Sequence, residues 1–318
     1  MYKRFFGLKA NPFNVNPDPR FLYLTEHARE TLACLTYGIQ MRKGFILLTG
    51  EVGTGKTTLL NKLGEWLRSR GAASTVVFNT CLDSGQFLDF VMTGFGIPCE
   101  STLKSQRLLR LYNWLQERYR AGVPVVLIVD EAQNLSAEVL EEIRLLTNME
   151  TSTQKLLQIV LSGQPELELK LREARLRQLR QRITLRCRTY PLTPEETQNY
   201  VAQRLHLAGA NGQPIFSREA IEAIQKYSSG IPRIINLICE HALIGAFVDQ
   251  QRLVAASVID DVAREFDLDG ETQPLQRPAA GQGENLALMT AIQKLLVVAD
   301  RLDNSENKVK KGSYEPHS

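Results

Sequence analysis

The feature that most limits how this chain can fold is Gly50-Glu51-Val52-Gly53-Thr54-Gly55-Lys56-Thr57, which fits the pattern G-x-x-x-x-G-K-[ST] at every position. The pattern has a mechanical reading. Glycines let the backbone turn tightly, its N–H groups wrap phosphates, the lysine reaches the β/γ oxygens and the final hydroxyl joins Mg²⁺. Such a loop works only as the joint between a buried strand and a helix whose positive end faces the phosphates. Both are in place: Phe45-Ile46-Leu47-Leu48-Thr49 reads as the strand, and Leu59, Leu60, Leu63 and Leu67 recur at helical spacing behind the loop. A chance glycine-rich turn would lack that context. Gly50, Glu51, Val52, Gly53, Thr54, Gly55, Lys56, Thr57 and Thr58 are therefore expected to bind a nucleoside triphosphate.

A second apolar run, Val125-Val126-Leu127-Ile128-Val129, ends in Asp130-Glu131, the Walker B arrangement. Asp130 is expected to hold Mg²⁺ through water, beside Thr57. Glu131, one position further, can orient and deprotonate an attacking water, which separates a hydrolase from a nucleotide-switched scaffold. The bland reading is that the pair caps the next helix, whose start Ser136 signals; a phosphate loop in the same chain favours the catalytic one. A GTPase reading fails, because Asn61-Lys62-Leu63-Gly64 lacks the Asp of the guanine-reading motif and lies in the wrong element.

With 318 residues, 43% of them hydrophobic, the chain can bury a real core and is expected to form two domains. Its net charge of +3 identifies no partner by itself. Five scattered cysteines form no C-x-x-C pair, which fits reduced thiols in a cytoplasm, and the four histidines show no ligand spacing. Neither a signal peptide nor an apolar run of about 18 residues is visible. The expectation is a cytoplasmic protein that reaches a membrane only through a partner.

Strand patterns at 45 to 49, 75 to 79, 124 to 129, 156 to 162 and 183 to 190 alternate with helical ones at 57 to 70, 104 to 120, 136 to 148 and 165 to 180, which predicts an α/β fold with a five-stranded parallel sheet. From Thr193 the pattern is all-helical: Thr193-Pro194-Glu195-Glu196 is a capping box, Ser217 opens a second helix and Ile231-Pro232 a third. The predicted organisation is a nucleotide-binding domain over 1–190, with an N-terminal segment on the adenine side, and a helical lid over 191–268. A linker follows over 269–285, then a short amphipathic helix over 286–304 and a disordered tail over 305–318. In that helix Leu288, Ile292, Leu295, Ala299 and Leu302 form a heptad-like stripe, too short for a confident coiled coil, so packing on its own chain competes with pairing to a partner.

Three further signals point to an AAA+ P-loop NTPase with a C-terminal helical lid. The fourth strand ends in Ser162-Gly163-Gln164, beside the Walker B edge, where a γ-phosphate sensor would sit, and Gln164 is preferred to Ser162. Arg182 lies between the following helix and the last strand, placed to enter a neighbouring subunit's site as an arginine finger and couple hydrolysis to assembly. Gly230-Ile231-Pro232-Arg233 starts a lid helix with Arg233 aimed back at the phosphates. The expected catalytic set is Glu131, Gln164, Arg182 and Arg233, with ATP and Mg²⁺ as cofactors.

Together with Phe5-Phe6-Gly7-Leu8, Asn11-Pro12-Phe13, Pro17 to Leu24, Asp130-Glu131-Ala132-Gln133, Gly163 to Leu167, Gln181-Arg182-Ile183 and Gly230 to Asn236, these motifs make residues 1–268 resemble the ExeA/GspA-type AAA+ ATPases. The resemblance implies a homo-oligomeric ATPase serving general secretion or, at related loci, envelope polysaccharide export. It also implies that the segment around Phe13 and Phe21 to Tyr23 lies against adenine, although packing alone would explain those aromatics equally well. Members tied to secretin assembly carry a transmembrane segment and a peptidoglycan-binding domain after the ATPase, and neither is expected within these residues. A competing reading from a different class is a DNA-binding AAA+ protein that regulates transposition or loads a helicase. It rests on Lys170, Arg172, Arg175, Arg177, Arg180, Arg182, Arg186 and Arg188, which face one acid, Glu173. The competing explanation for that stretch is a solvated face plus one finger.

Overall fold

A computed structural model describes residues 1–14, 21, 23–78, 82–98, 101 and 103–268, so the expected linker, short helix and tail lie outside the described residues. The five strands are β1 (Phe45–Thr49), β2 (Ala73–Val77), β3 (Val125–Val129), β4 (Gln158–Gly163) and β5 (Leu185–Arg188). All pairings are parallel, in the order β2-β3-β4-β1-β5. This order places the C-terminal end of β4 between the strand that feeds the phosphate loop and the strand that ends in Asp130. In open parallel sheets ligands bind beyond the carboxyl ends of the strands, which is where all three segments now meet.

Side-chain alternation assigns the two faces of the sheet. Phe45, Leu47, Leu127, Val129, Ile159 and Leu161 pack on one side, under α4 (Ser84–Gly94), α5 (Lys104–Arg120) and α6 (Ala137–Leu146). Ile46, Leu48, Val126, Ile128 and Val160 face the other way, onto α2 (Glu26–Gln40) and α3 (Lys56–Ser69). The central strands β1, β3 and β4 are buried throughout, whereas β5 alternates between buried and exposed residues as an edge strand.

Several elements depart from the sequence reading. Helix α2 was not expected, and its Gly38 shows why it forms against the sheet: a Cβ there would stand 2.6 Å from side-chain atoms of both Ile46 and Leu185. The residue that weakens the helical pattern is the one that permits close packing. Helix α4 was also unexpected. The helix expected over 165–180 is broken into α7 (Pro165–Leu171), a 3-10 turn at Ala174–Leu176 and α8 (Arg177–Arg182). Strand β5 is shorter than the stretch 183–190.

The lid consists of α9 (Pro194–Leu207), α10 (Arg218–Ser228), α11 (Pro232–Val248) and α12 (Ala256–Glu265). Thr193 and Glu196 form a capping box at α9, and Ser217 caps α10 through the Ala220 N–H. The N-terminal segment, expected to belong with the nucleotide domain, sends its apolar side chains elsewhere. Phe6, Leu8, Phe13 and Phe21 join Tyr200, Ile235, Ile238 and Leu243 in the lid core, and α1 (Tyr2–Phe5) lies on α11. Tyr2 and Asn11 both donate to the Glu240 carboxylate of α11, at 3.0 and 2.9 Å.

Candidate active site

The phosphate loop is held open by close contacts that exclude side chains. A Cβ on Gly50 would stand 2.0 Å from Thr189 Oγ1, at the end of the strand beside β1, and Gly55 takes φ +95° as the residue that caps α3. Lys56, the first residue of α3, is 6% exposed and folds back so that Nζ donates to the carbonyls of Gly50 (2.8 Å) and Glu51 (3.0 Å). Burial pushes its ammonium below the ordinary lysine range, partly offset by Glu131, Asp130, Glu51 and Glu166. A triphosphate bound in the loop would add further negative charge beside this buried cation.

At the loop's far side Thr57 Oγ1 donates to Asp130 Oδ2 at 3.3 Å, and the other Asp130 oxygen accepts the Glu131 N–H at 3.0 Å. A hydroxyl and a nearly buried carboxylate meeting at one point are hard oxygen donors. They fit Mg²⁺, which binds one or two protein oxygens and completes its shell with phosphates and water. Glu131 leaves the strand in a left-handed conformation, φ 52° and ψ 37°. Its Oε2 accepts from Gln133 Nε2 at 2.5 Å and from Gln164 Nε2 at 3.2 Å. Ser162 lies inside the sheet, fully buried, with its hydroxyl unpaired. Gln164 thus touches the carboxylate, and Ser162 does not.

Arg233 stands in the first turn of α11 and donates its backbone N–H to the Gly53 carbonyl at 3.3 Å. Lid and loop therefore touch directly. Together with Val52 to Leu59 and Glu131 it lines a cleft of about 460 Å³.

Residues 39–171 match the family described as AAA domain. A curated relative, General secretion pathway protein A of Aeromonas hydrophila, is 46% identical over 248 residues. That alignment covers 78% of this chain and 45% of the relative, so the chain spans about half the length of the curated protein it matches. Among solved structures, Cdc6p of Pyrobaculum aerophilum superposes with a TM-score of 0.60 at 18% identity, covering 78% of this chain and 71% of that one. A Drosophila ORC structure bound to DNA gives 0.62 at 19% identity, over 80% and 64% respectively. These likenesses carry the fold. The chain carries an AAA domain within an AAA+ P-loop fold.

Other walls of the cleft were not legible in the motifs. His27, Tyr190, Tyr200, Arg204 and Asn236 come from α2, the end of the sheet and the lid, and only the fold brings them together. Tyr200 donates to Asn236 Oδ1 at 2.9 Å, and Arg204 donates to Tyr200 at 2.7 Å and to the Pro12 carbonyl. Of the aromatics expected on the adenine side, Phe21 and Tyr23 line the cleft, whereas Phe13 is fully buried in the lid against Phe216.

Arg182 ends α8, just ahead of β5, and so stands at the opposite edge of the sheet from the phosphate loop, a strand's length of about 15 Å away. There Nη1 donates to Thr147 Oγ1 at 2.7 Å. The basic stretch of the AAA+ protein is partly consumed internally. Lys170 binds the carbonyls of Gln133 and Leu135, Arg188 pairs with Glu168 at 2.6 Å, and Arg175 pairs with Glu173 at 2.7 Å. No helix among the described residues is long and apolar enough to cross a membrane.

Proposed function

We propose that this AAA+ protein binds and hydrolyses ATP with Mg²⁺ as a homo-oligomer, and that it powers or regulates secretion or envelope polysaccharide export. The observation that carries the hydrolase reading is Glu131, a carboxylate on the wall of the cleft, one residue past the Asp130 that meets Thr57. In this reading the loop N–H groups and Lys56 hold the phosphates, and Thr57 and Asp130 hold Mg²⁺. An ion held by these two residues would offset the negative charge that develops during transfer. Glu131 takes the proton of a water aligned with the γ-phosphorus, Gln164 orients that water, and Arg233 draws the lid onto the phosphates.

Arg182 is not among the residues that line its own cleft and donates to Thr147 instead, which supports its use in a neighbour's site. A finger supplied in trans stabilises charge on the transferring phosphoryl oxygens and makes turnover depend on assembly. The secretion reading comes from the relative's name together with 46% identity. It is preferred to DNA binding because Lys170, Arg175 and Arg188 have partners within the chain.

The test is Glu131→Gln, which keeps shape and removes the base. Nucleotide affinity is expected to stay while turnover falls by about 10²-fold or more. The same variant, expressed in the host, is expected to block release of the exported protein or polysaccharide. Turnover equal to wild type would remove the hydrolase reading; lost turnover with undiminished export would remove the pathway.

A further inference from the structure

Gln133 belongs to none of the patterns that define a phosphate-loop enzyme, yet its side chain spans the two groups on which the hydrolytic step depends. Its Nε2 donates to Glu131 Oε2 at 2.5 Å, while its Oε1 accepts the backbone N–H of Gln164 at 3.1 Å. The side-chain amide offers a donor for the carboxylate and an acceptor for the N–H from one planar group. The fit is close. A Cβ on Gly163 would stand 2.8 Å from Gln133 Oε1, so the end of β4 is a glycine where the amide crosses it.

The backbone beneath that amide is fixed as well. Gln133 sits in a 3-10 turn (Ala132–Asn134), and Lys170 of α7 holds this turn by donating Nζ to the Gln133 carbonyl at 2.9 Å and to the Leu135 carbonyl at 2.5 Å. Glu131 needs such support. Its left-handed backbone, φ 52° and ψ 37°, is strained and persists only where the surroundings over-determine it. A long carboxylate side chain leaving that backbone has several rotamers, and the Gln133 amide selects one.

We propose that Gln133 is a positioning residue for ATP hydrolysis, clamping the Glu131 carboxylate to the C-terminal end of β4 so that it meets the attacking water in one orientation. This rests on the reading of Glu131 as the base. The competing role is structural: the Gln133 oxygen simply satisfies the Gln164 N–H ahead of α7. The two roles differ in what removal of the amide does.

The experiment uses the full chain and ATP with Mg²⁺. Gln133→Met keeps the length of the side chain and deletes the amide. The expected result is a kcat about tenfold lower, a part of the roughly 10²–10⁴-fold that a positioned base contributes. KM and the affinity for a fluorescent ATP analogue are expected to stay within about twofold of wild type, since no contact to the nucleotide is removed. Placed in Glu131→Gln, the same change is expected to cost nothing more, because a residue that acts through the carboxylate has nothing left to position. A kcat within about twofold of wild type, or an equal loss in both backgrounds, would overturn the proposal. Should Gln133→Met fail to fold, Gln133→Glu, nearly identical in shape, replaces the donor by a like charge. It is expected to lose turnover in the wild-type background alone, and retained turnover would count against the clamp. Undiminished turnover in Glu131→Gln itself would sink the base reading first. Inactive Glu131→Gln beside fully active Gln133→Met would sink only the role given to Gln133.

Discussion

Lys56 shows how far a motif reaches and where it stops. The loop pattern names Lys56, Thr57 and their glycines because each does its work within eight residues of the others. The structure adds the price of waiting for ligand, a buried ammonium turned onto the carbonyls of Gly50 and Glu51. Lys56→Ala removes a charge-assisted contact to phosphate worth about 1.5–3 kcal/mol, so ATP affinity is expected to fall roughly ten- to hundredfold. Titration with a fluorescent ATP analogue reads this directly, and unchanged affinity would contradict the assignment. Tyr200, Arg204 and Asn236 could not be named in the same way. Tyrosines and arginines occur throughout the chain, and only the packing of α9 against α11 turns these three toward the cleft.

Among elements, what the sequence made legible follows from periodicity. β1, β3 and β4 are buried on both faces and read as largely apolar runs, so their existence was plain even where ends moved by a residue or two. Helix α2 was hidden by a glycine required for packing, and the break between α7 and α8 by arginines that look helical anywhere. Order within the sheet was not legible at all, since neither strand pattern nor spacing tells β4 to insert between β1 and β3.

One contact ties three of these elements together. Glu168 of α7 accepts from Thr49 of β1 at 2.6 Å and from Arg188 of β5. Burial works to raise its pKa, but the hydrogen bonds from Thr49 and Arg188 outweigh it and the net shift is downward. A carboxylate whose folded value lies below its unfolded one stabilises the fold above about pH 4.3 and loses that contribution as pH falls through the folded value. Glu168→Gln is therefore expected to lower the urea midpoint at pH 7, with the gap to wild type closing at more acidic pH. A gap that stays constant down to pH 3 would show that Glu168 acts by packing alone.

At the scale of the whole molecule, the chain starts in the lid, passes the cleft and only then enters the sheet. Phe6, Leu8 and Phe13 lock its first residues into the lid core, while Phe21, Tyr23 and His27 line the nucleotide cleft. Lid, N-terminal segment and phosphate loop thus line one cleft, and the lid touches the loop through the Arg233 N–H and the Gly53 carbonyl. Local pattern located the lid but not this threading, because an N-terminal aromatic packs as readily on a sheet as on a helix bundle. Arg182 marks the other limit of a single chain: it stands about a strand's length from its own chain's cleft, so the role proposed for it requires a second copy.

Mixing subunits tests that claim most directly. Arg182→Ala keeps its own base but offers no finger, and Glu131→Gln offers a finger but has no base; each alone is expected to bind ATP and hydrolyse it poorly. Mixed at varied ratios they form interfaces that pair an intact Glu131 with an intact Arg182. The account predicts a bell-shaped recovery of ATPase activity with a maximum near equal proportions, and wild-type turnover per subunit that rises with protein concentration. No recovery at any ratio, with wild-type turnover independent of concentration, would contradict it.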